Sequence, residues 1–114
     1  MLSVDTLKAC GANTEEGLAR CFNNETFYLK LVRMGLADAN FDRLSAAVTA
    51  GDTAAAFEAA HALKGSIGNL SLTPIYEPVS QLTELLRGKT GPVDAGALHD
   101  EIMKQLAIFR ALDQ

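Results

Sequence analysis

The residues of this chain whose types and spacing could do chemistry lie in one stretch, Ala59–Leu70, AAHALKGSIGNL. It contains His61, followed by Lys64, Gly65 and Gly68 at i+3, i+4 and i+7. On a helix, at about 100° per residue, Ala56, Ala60, Leu63, Ile67 and Leu70 form one narrow apolar stripe, the pattern of a helix packed in a bundle. His61 falls roughly 120–140° around the wheel from that stripe, sharing its flank with Ala54, Phe57, Lys64, Gly65 and Gly68. The imidazole therefore looks outward, with a cation one turn on and two neighbouring side chains absent. A mid-helix glycine costs about 0.8–1 kcal/mol against alanine, so this pair costs roughly 2 kcal/mol. The stripe continues through Ile67 and Leu70, which argues against Gly65 as the helix stop. A neutral imidazole held bare on a stiff element is a nucleophile that can reach into another molecule's pocket.

Composition excludes several other chemistries. A chain of 114 residues is one domain with a single core, and 48% hydrophobic with 21% charged residues is ordinary for a soluble globular protein. A net charge of −4, from ten basic and fourteen acidic residues, argues against a dedicated nucleic-acid binder. No run of about 18 apolar residues is present, so no membrane span is expected. The start, MLSVDTLKAC, lacks the basic and long apolar regions of a signal peptide, and a cytoplasmic protein is expected. Cys10 and Cys21 have no metal-ligand spacing with each other or with His61 and His99, and read as reduced, packed thiols. A general acid–base enzyme would need further titrating groups converging on His61. An ATP-using kinase would need a glycine-rich nucleotide segment, and none is present.

The elements that must position His61 follow from caps and periodicity. Residues 3–10 form a short helix closed by Gly11. Thr14 is the expected N-cap of a second, Glu15–Phe22, with Gly17 weakening it. Asn24 caps Glu25–Ala37, whose apolar face is Phe27, Leu31 and Met34 with Tyr28 and Val32 beside them. After an interruption at Asp38 or Asn40, Phe41, Leu44 and Val48 continue to Ala50. Gly51-Asp52 reads as a tight hairpin, C′ residue then N-cap. The His61 helix runs from Thr53 to about Leu70. Thr73 at N-cap and Pro74 at N1 start the next helix, with the stripe Ile75, Val79, Leu82 and Leu86 and a local bend at Pro78. Gly88–Pro92 is a loop. Asp94 caps a last helix with the stripe Leu98, Ile102, Leu106, Phe109 and Leu112. No segment alternates with period two. The fold expected is all-α, an antiparallel up-and-down four-helix bundle with short N-terminal helices capping one end.

His61-Ala62-Leu63-Lys64-Gly65, followed by Asn69-Leu70, resembles the signature of histidine-containing phosphotransfer (HPt) domains. The resemblance extends over about residues 18–112 of a single domain, 1–114. It implies a helical bundle that carries a phosphoryl group on His61 between aspartates of receiver domains, in the phosphorelay of a two-component system. It implies a carrier and not an enzyme, with no cofactor of its own; Mg²⁺ is expected only in the partner receiver domain. The partners implied are response-regulator receiver domains and a hybrid sensor histidine kinase, with no nucleic acid and no membrane, the carrier being a monomer. One departure stands out, since the family usually has Gly where this chain has Ser71.

On that resemblance His61 is the phosphoacceptor, through the ring nitrogen farther from the backbone. Lys64 lies alongside the phosphoryl group and offsets its charge. Gly65 and Gly68 give steric clearance. In the family a polar side chain of the next helix often orients the imidazole; the candidates are Thr83, nearest the position where the family tends to have Glu or Gln, with Ser80 and Gln81. Phe57, exposed one turn before His61, is an apolar contact for a receiver, and Tyr28 and Leu31 extend that patch if their helix lies beside it. His99, followed by Asp100 and Glu101, reads as a solvated helix-face residue. The initial Met and short flanks lead us to expect a free-standing carrier. The alternative reading is a non-catalytic helical interaction module of a two-component system.

Overall fold

Short polar side chains set where the first helices begin. Ser3, Asn13, Asn24 and Asp52 accept hydrogen bonds from the backbone N–H groups of Thr6, Glu16, Phe27 and Ala55, each such cap being worth about 1 kcal/mol. They start α1 (Val4–Ala9), α2 (Thr14–Arg20), α3 (Glu25–Leu36) and α5 (Thr53–Asn69). Between α3 and α5 lies α4 (Asn40–Ala50); α6 (Thr73–Leu86) and α7 (Gly96–Ala111) complete the chain. This computed structural model describes residues 1–113.

Several expected boundaries hold and others move by one or two residues, the end of α2 shifting from Phe22 to Arg20. Gly51 ends α4 in the left-handed region, at φ +70°, and Asp52 caps α5, which makes the expected hairpin. The cap of α2 is Asn13, and Thr14 is its first, buried, residue. Leu72 occupies the N-cap position of α6, so Thr73 lies inside the helix. Pro78 is buried in α6, which runs through it without interruption. Ala95 precedes α7, and Asp94 reaches past it to accept from the Gly96 N–H at 3.2 Å.

Helices α4, α5, α6 and α7 form the antiparallel bundle, with α5 between α4 and α6, and α6 against α7. Their facing stripes are fully closed to solvent: Phe41 and Leu44 of α4, Leu63 and Ile67 of α5, Ile75, Val79 and Leu82 of α6, Ile102 and Phe109 of α7. The α1–α2 region covers the end where α5 turns into α6. There the Asn13 N–H donates to the Ser71 carbonyl at 2.9 Å, and the side chain of Pro74 lies against Gly11.

Helix α3 is rotated from the orientation its apolar residues suggest. Tyr28, Val32, Gly35 and Leu36 are buried, whereas Phe27 and Met34 are exposed and Leu31 is half-buried against the core. The Tyr28 ring fills the space at Gly17, where a Cβ would come within 2.6 Å of it, and Leu70 does the same at Gly35, at 2.5 Å. Gly17 is thus less a weakness of α2 than a seat for Tyr28. His99 is also not solvated: its Nε2 lies 2.8 Å from Ser45 Oγ and ties α7 to α4. Cys10 and Cys21 are free thiols, the second buried. Among the described residues no helix is long and apolar enough to cross a membrane.

Candidate functional site

The buried stripe of α5 (Ala56, Ala60, Leu63, Ile67) fixes its rotation and so turns His61 out to solvent, where it is exposed. One turn earlier the half-buried Phe57 packs its ring against the imidazole, with centroids 5.5 Å apart and planes tilted by 55°. At Gly65 no heavy atom lies within 4 Å of where a Cβ would stand, leaving the helix surface beside His61 bare. Gly68 has a different task from clearance around the imidazole. A Cβ there would meet the Tyr76 ring of α6 at 2.9 Å, so this glycine admits an aromatic ring from the facing helix. Past these glycines an open groove of about 660 Å³ runs from His61 and Lys64 to Ser71, walled by Tyr76 and Glu77 on one side and by Glu16 and Arg20 of α2 on the other.

Lys64 points across to α6, its Nζ 3.3 Å from Glu84 Oε1. The same carboxylate accepts from Arg87 Nε at 3.1 Å and Nη2 at 3.2 Å. The Arg87 guanidinium in turn lies 5.2 Å over the Phe57 ring, a cation–π placement. His61, Phe57, Arg87, Glu84 and Lys64 therefore form a continuous arc across the two helices. The hydrogen bonds from Arg87 first and Lys64 second hold the Glu84 carboxyl below its usual range, and Glu84 raises Arg87.

The expected orienting residues are placed apart. Thr83 is fully buried and its hydroxyl donates to the Val79 carbonyl at 2.8 Å, because it sits one turn after Val79 on the core side of α6. That hydroxyl is engaged within its own helix and is not turned to His61. Gln81 is exposed on the side of α6 that faces Leu98, Glu101 and Gln105 of α7. Ser80 is half-buried on the face of α6 shared by Tyr76 and Glu84, each one turn away. Tyr28 also leaves the expected docking patch. It is a core residue whose hydroxyl donates to the Leu70 carbonyl at 2.8 Å, and burial, with a smaller contribution from Cys21, pushes its phenol up to about 12. Leu31 packs onto the core. Of the three, Phe57 alone touches the imidazole.

The turn after α5 resolves what Ser71 does where the family usually has glycine. Ser71 adopts the left-handed conformation that glycine favours, at φ +57°, which costs a non-glycine residue roughly 1–2 kcal/mol. Its buried hydroxyl compensates by accepting from Arg20 Nη1 at 2.8 Å and donating to Glu16 Oε1 at 2.9 Å. Glu16 and Arg20 are themselves paired at 2.8 Å, and Arg20 donates to the Gly68 carbonyl at 3.1 Å near the end of α5. None of Glu16, Arg20, Tyr76, Glu84 and Arg87 stands out as a site residue in the sequence. The available signals were the helical spacings i, i+4 for Glu16 and Arg20 and i, i+3 for Glu84 and Arg87, which mark ion pairs but not the face they occupy.

The Hpt domain family model matches residues 35–113, from the end of α3 through α7. No curated protein and no solved structure shows a significant match. Hpt domains are phosphotransfer carriers in the phosphorelays of two-component systems and engage response-regulator receiver domains. With well over half of its length matched, on an all-helical bundle, this chain belongs to the Hpt domain family.

Proposed function

We propose that His61 is the phosphoacceptor of this domain and that it carries a phosphoryl group from the aspartate of one receiver domain to that of another. In the accepting step the lone pair of the ring nitrogen farther from the backbone forms the N–P bond. The P–O bond to the donor aspartate breaks and that carboxylate departs with its electron pair. The reverse step, at a second receiver, returns the imidazole. Such transfer is mostly positioning and charge stabilisation around an in-line arrangement. The chain contributes an exposed imidazole, the bare surface at Gly65 for close approach, the Phe57 ring as an apolar contact, and Lys64 as the cation nearest along the helix. Mg²⁺ belongs to the receiver's acidic pocket, and this domain supplies no cofactor. The donor receiver is that of a hybrid sensor kinase, and the carrier acts as a monomer.

The observation that carries this reading is an outward imidazole beside a helix surface with no side chain, in a chain of the Hpt domain family. It is tested by incubation with a receiver domain labelled as its aspartyl phosphate. Acid-labile label should appear on the wild type and be absent from His61→Gln. Equal labelling of the two proteins would falsify the assignment.

A further inference from the structure

We propose that Glu84 is a positioning residue that acts through Lys64: its carboxylate holds the lysine beside His61 while the imidazole is free, competes with the phosphoryl group for it afterwards, and so makes the phosphohistidine a better donor. The inference rests on His61 as phosphoacceptor.

The geometry supplies both halves of the exchange. Lys64 Nζ lies 3.3 Å from Glu84 Oε1, with the two side chains 29% and 53% exposed. A pair this open to water is weak and gives way readily to a doubly charged phosphoryl group one turn away. Releasing Lys64 does not strand the carboxylate, because Arg87 already grips both of its oxygens at 3.1 and 3.2 Å. Arg87 is itself kept in place over the Phe57 ring, at 5.2 Å, and that ring is packed against the imidazole. One carboxylate is thus shared by two cations, one anchored and one free to leave. An unshared Lys64 would bind the phosphoryl group without competition and retain it longer. The competition lowers the charge stabilisation of phosphohistidine relative to the receiver's aspartyl phosphate, which favours passing the group on.

The experiment is a double-mutant cycle on the phosphotransfer equilibrium between this protein and a receiver domain, using wild type, Glu84→Gln, Lys64→Ala and the double variant. Glu84 is exposed, so Glu84→Gln leaves the fold intact, which circular dichroism checks. Glu84→Gln should move the equilibrium toward phosphohistidine by about two- to fivefold, the range of an exposed ion pair. In the Lys64→Ala background the same substitution should move it by clearly less. A parallel measurement follows hydrolysis of phosphohistidine formed chemically with phosphoramidate; the lifetime should lengthen in Glu84→Gln only where Lys64 is present. An equal shift in both backgrounds would mean that Glu84 acts by direct repulsion, and a shift toward the receiver that it merely props Lys64 in place. Either result, or no shift, overturns the inference. A wild type that takes no label at His61 would instead remove the phosphoacceptor assignment beneath it.

Discussion

A glycine on an exposed helix face is a local loss that only some other gain can explain, and the two glycines after His61 have different explanations. Gly65 faces open space, whereas Gly68 makes room for Tyr76. Replacing Gly65 by alanine therefore stabilises α5 by about 0.8–1 kcal/mol, since nothing obstructs the new methyl group. That corresponds to a rise in Tm of about 4 °C for a domain of this size. Gly65→Gln keeps most of the helix gain and fills the surface on which, in the proposed function, a receiver settles, so transfer to His61 should slow by about ten- to hundredfold. Calorimetry and the labelled-receiver assay on the same preparations check the pair of effects. A variant that is more stable and equally fast would show that receivers do not approach over Gly65. The same substitution at Gly68 should yield less stability than at Gly65, because the Tyr76 ring has to move by several tenths of an ångström.

At the scale of elements, legibility followed the regularity of the apolar spacing. The stripes of α5, α6 and α7 are narrow, and the residues read as core in them, such as Leu63, Val79 and Ile102, are closed to solvent. In α3, Phe27, Tyr28, Leu31, Val32 and Met34 spread over about 160° of the wheel, an apolar face too wide to fix the rotation by itself. The outcome depended on Gly17 and Gly35, whose missing side chains admit Tyr28 and Leu70, and these contacts join distant segments. The same limit applied on α6: Thr83 and Glu84 differ by about 100° on the wheel, enough to exchange a core hydroxyl for the partner of Lys64. His61 was legible because its helix is fixed by its own stripe; its neighbours from α2 and α6 were not. The seat of Tyr28 has a consequence for pH. Its pKa rises from 10.0 to about 12 in the folded chain, mainly through burial, so the folded state holds the phenolic proton more tightly than the unfolded state. The folded state then binds more protons above pH 10, and stability falls as pH rises from about 10 to about 12. In a Tyr76→Phe background, which leaves Tyr28 as the only tyrosine, tyrosinate absorbance should appear together with loss of helical circular dichroism across that range. Ionisation near pH 10 with the helices intact would contradict a sealed Tyr28.

For the whole molecule, the family match begins at residue 35, yet the end of α5 is held largely by what precedes it. Asn13, Arg20 and Tyr28 bond to the carbonyl or side chain of Ser71, the carbonyl of Gly68 and the carbonyl of Leu70. These are the last turn of the His61 helix and the turn into α6, so the N-terminal helices buttress the rod on which the imidazole stands. They also contribute Leu7, Tyr28 and Val32 to the core, all fully buried. Burial of such side chains is worth about 1.5–3 kcal/mol each, against a total of about 5–15 kcal/mol for a domain. Removing the segment therefore takes away an amount comparable with the whole. A fragment spanning residues 35–113 should lose its cooperative thermal transition, bind a hydrophobic dye, and accept phosphoryl from a receiver far more slowly than the full chain. If that fragment instead melts as sharply as the intact protein and is labelled as fast, α1–α3 are an accessory to the bundle. Loss of the sharp transition with transfer retained would mean that His61 needs only a helix, not a rigid one. The buttress predicts that rigidity and transfer fail together, because the bonds that close the end of α5 also hold the turn at Ser71 in its left-handed form.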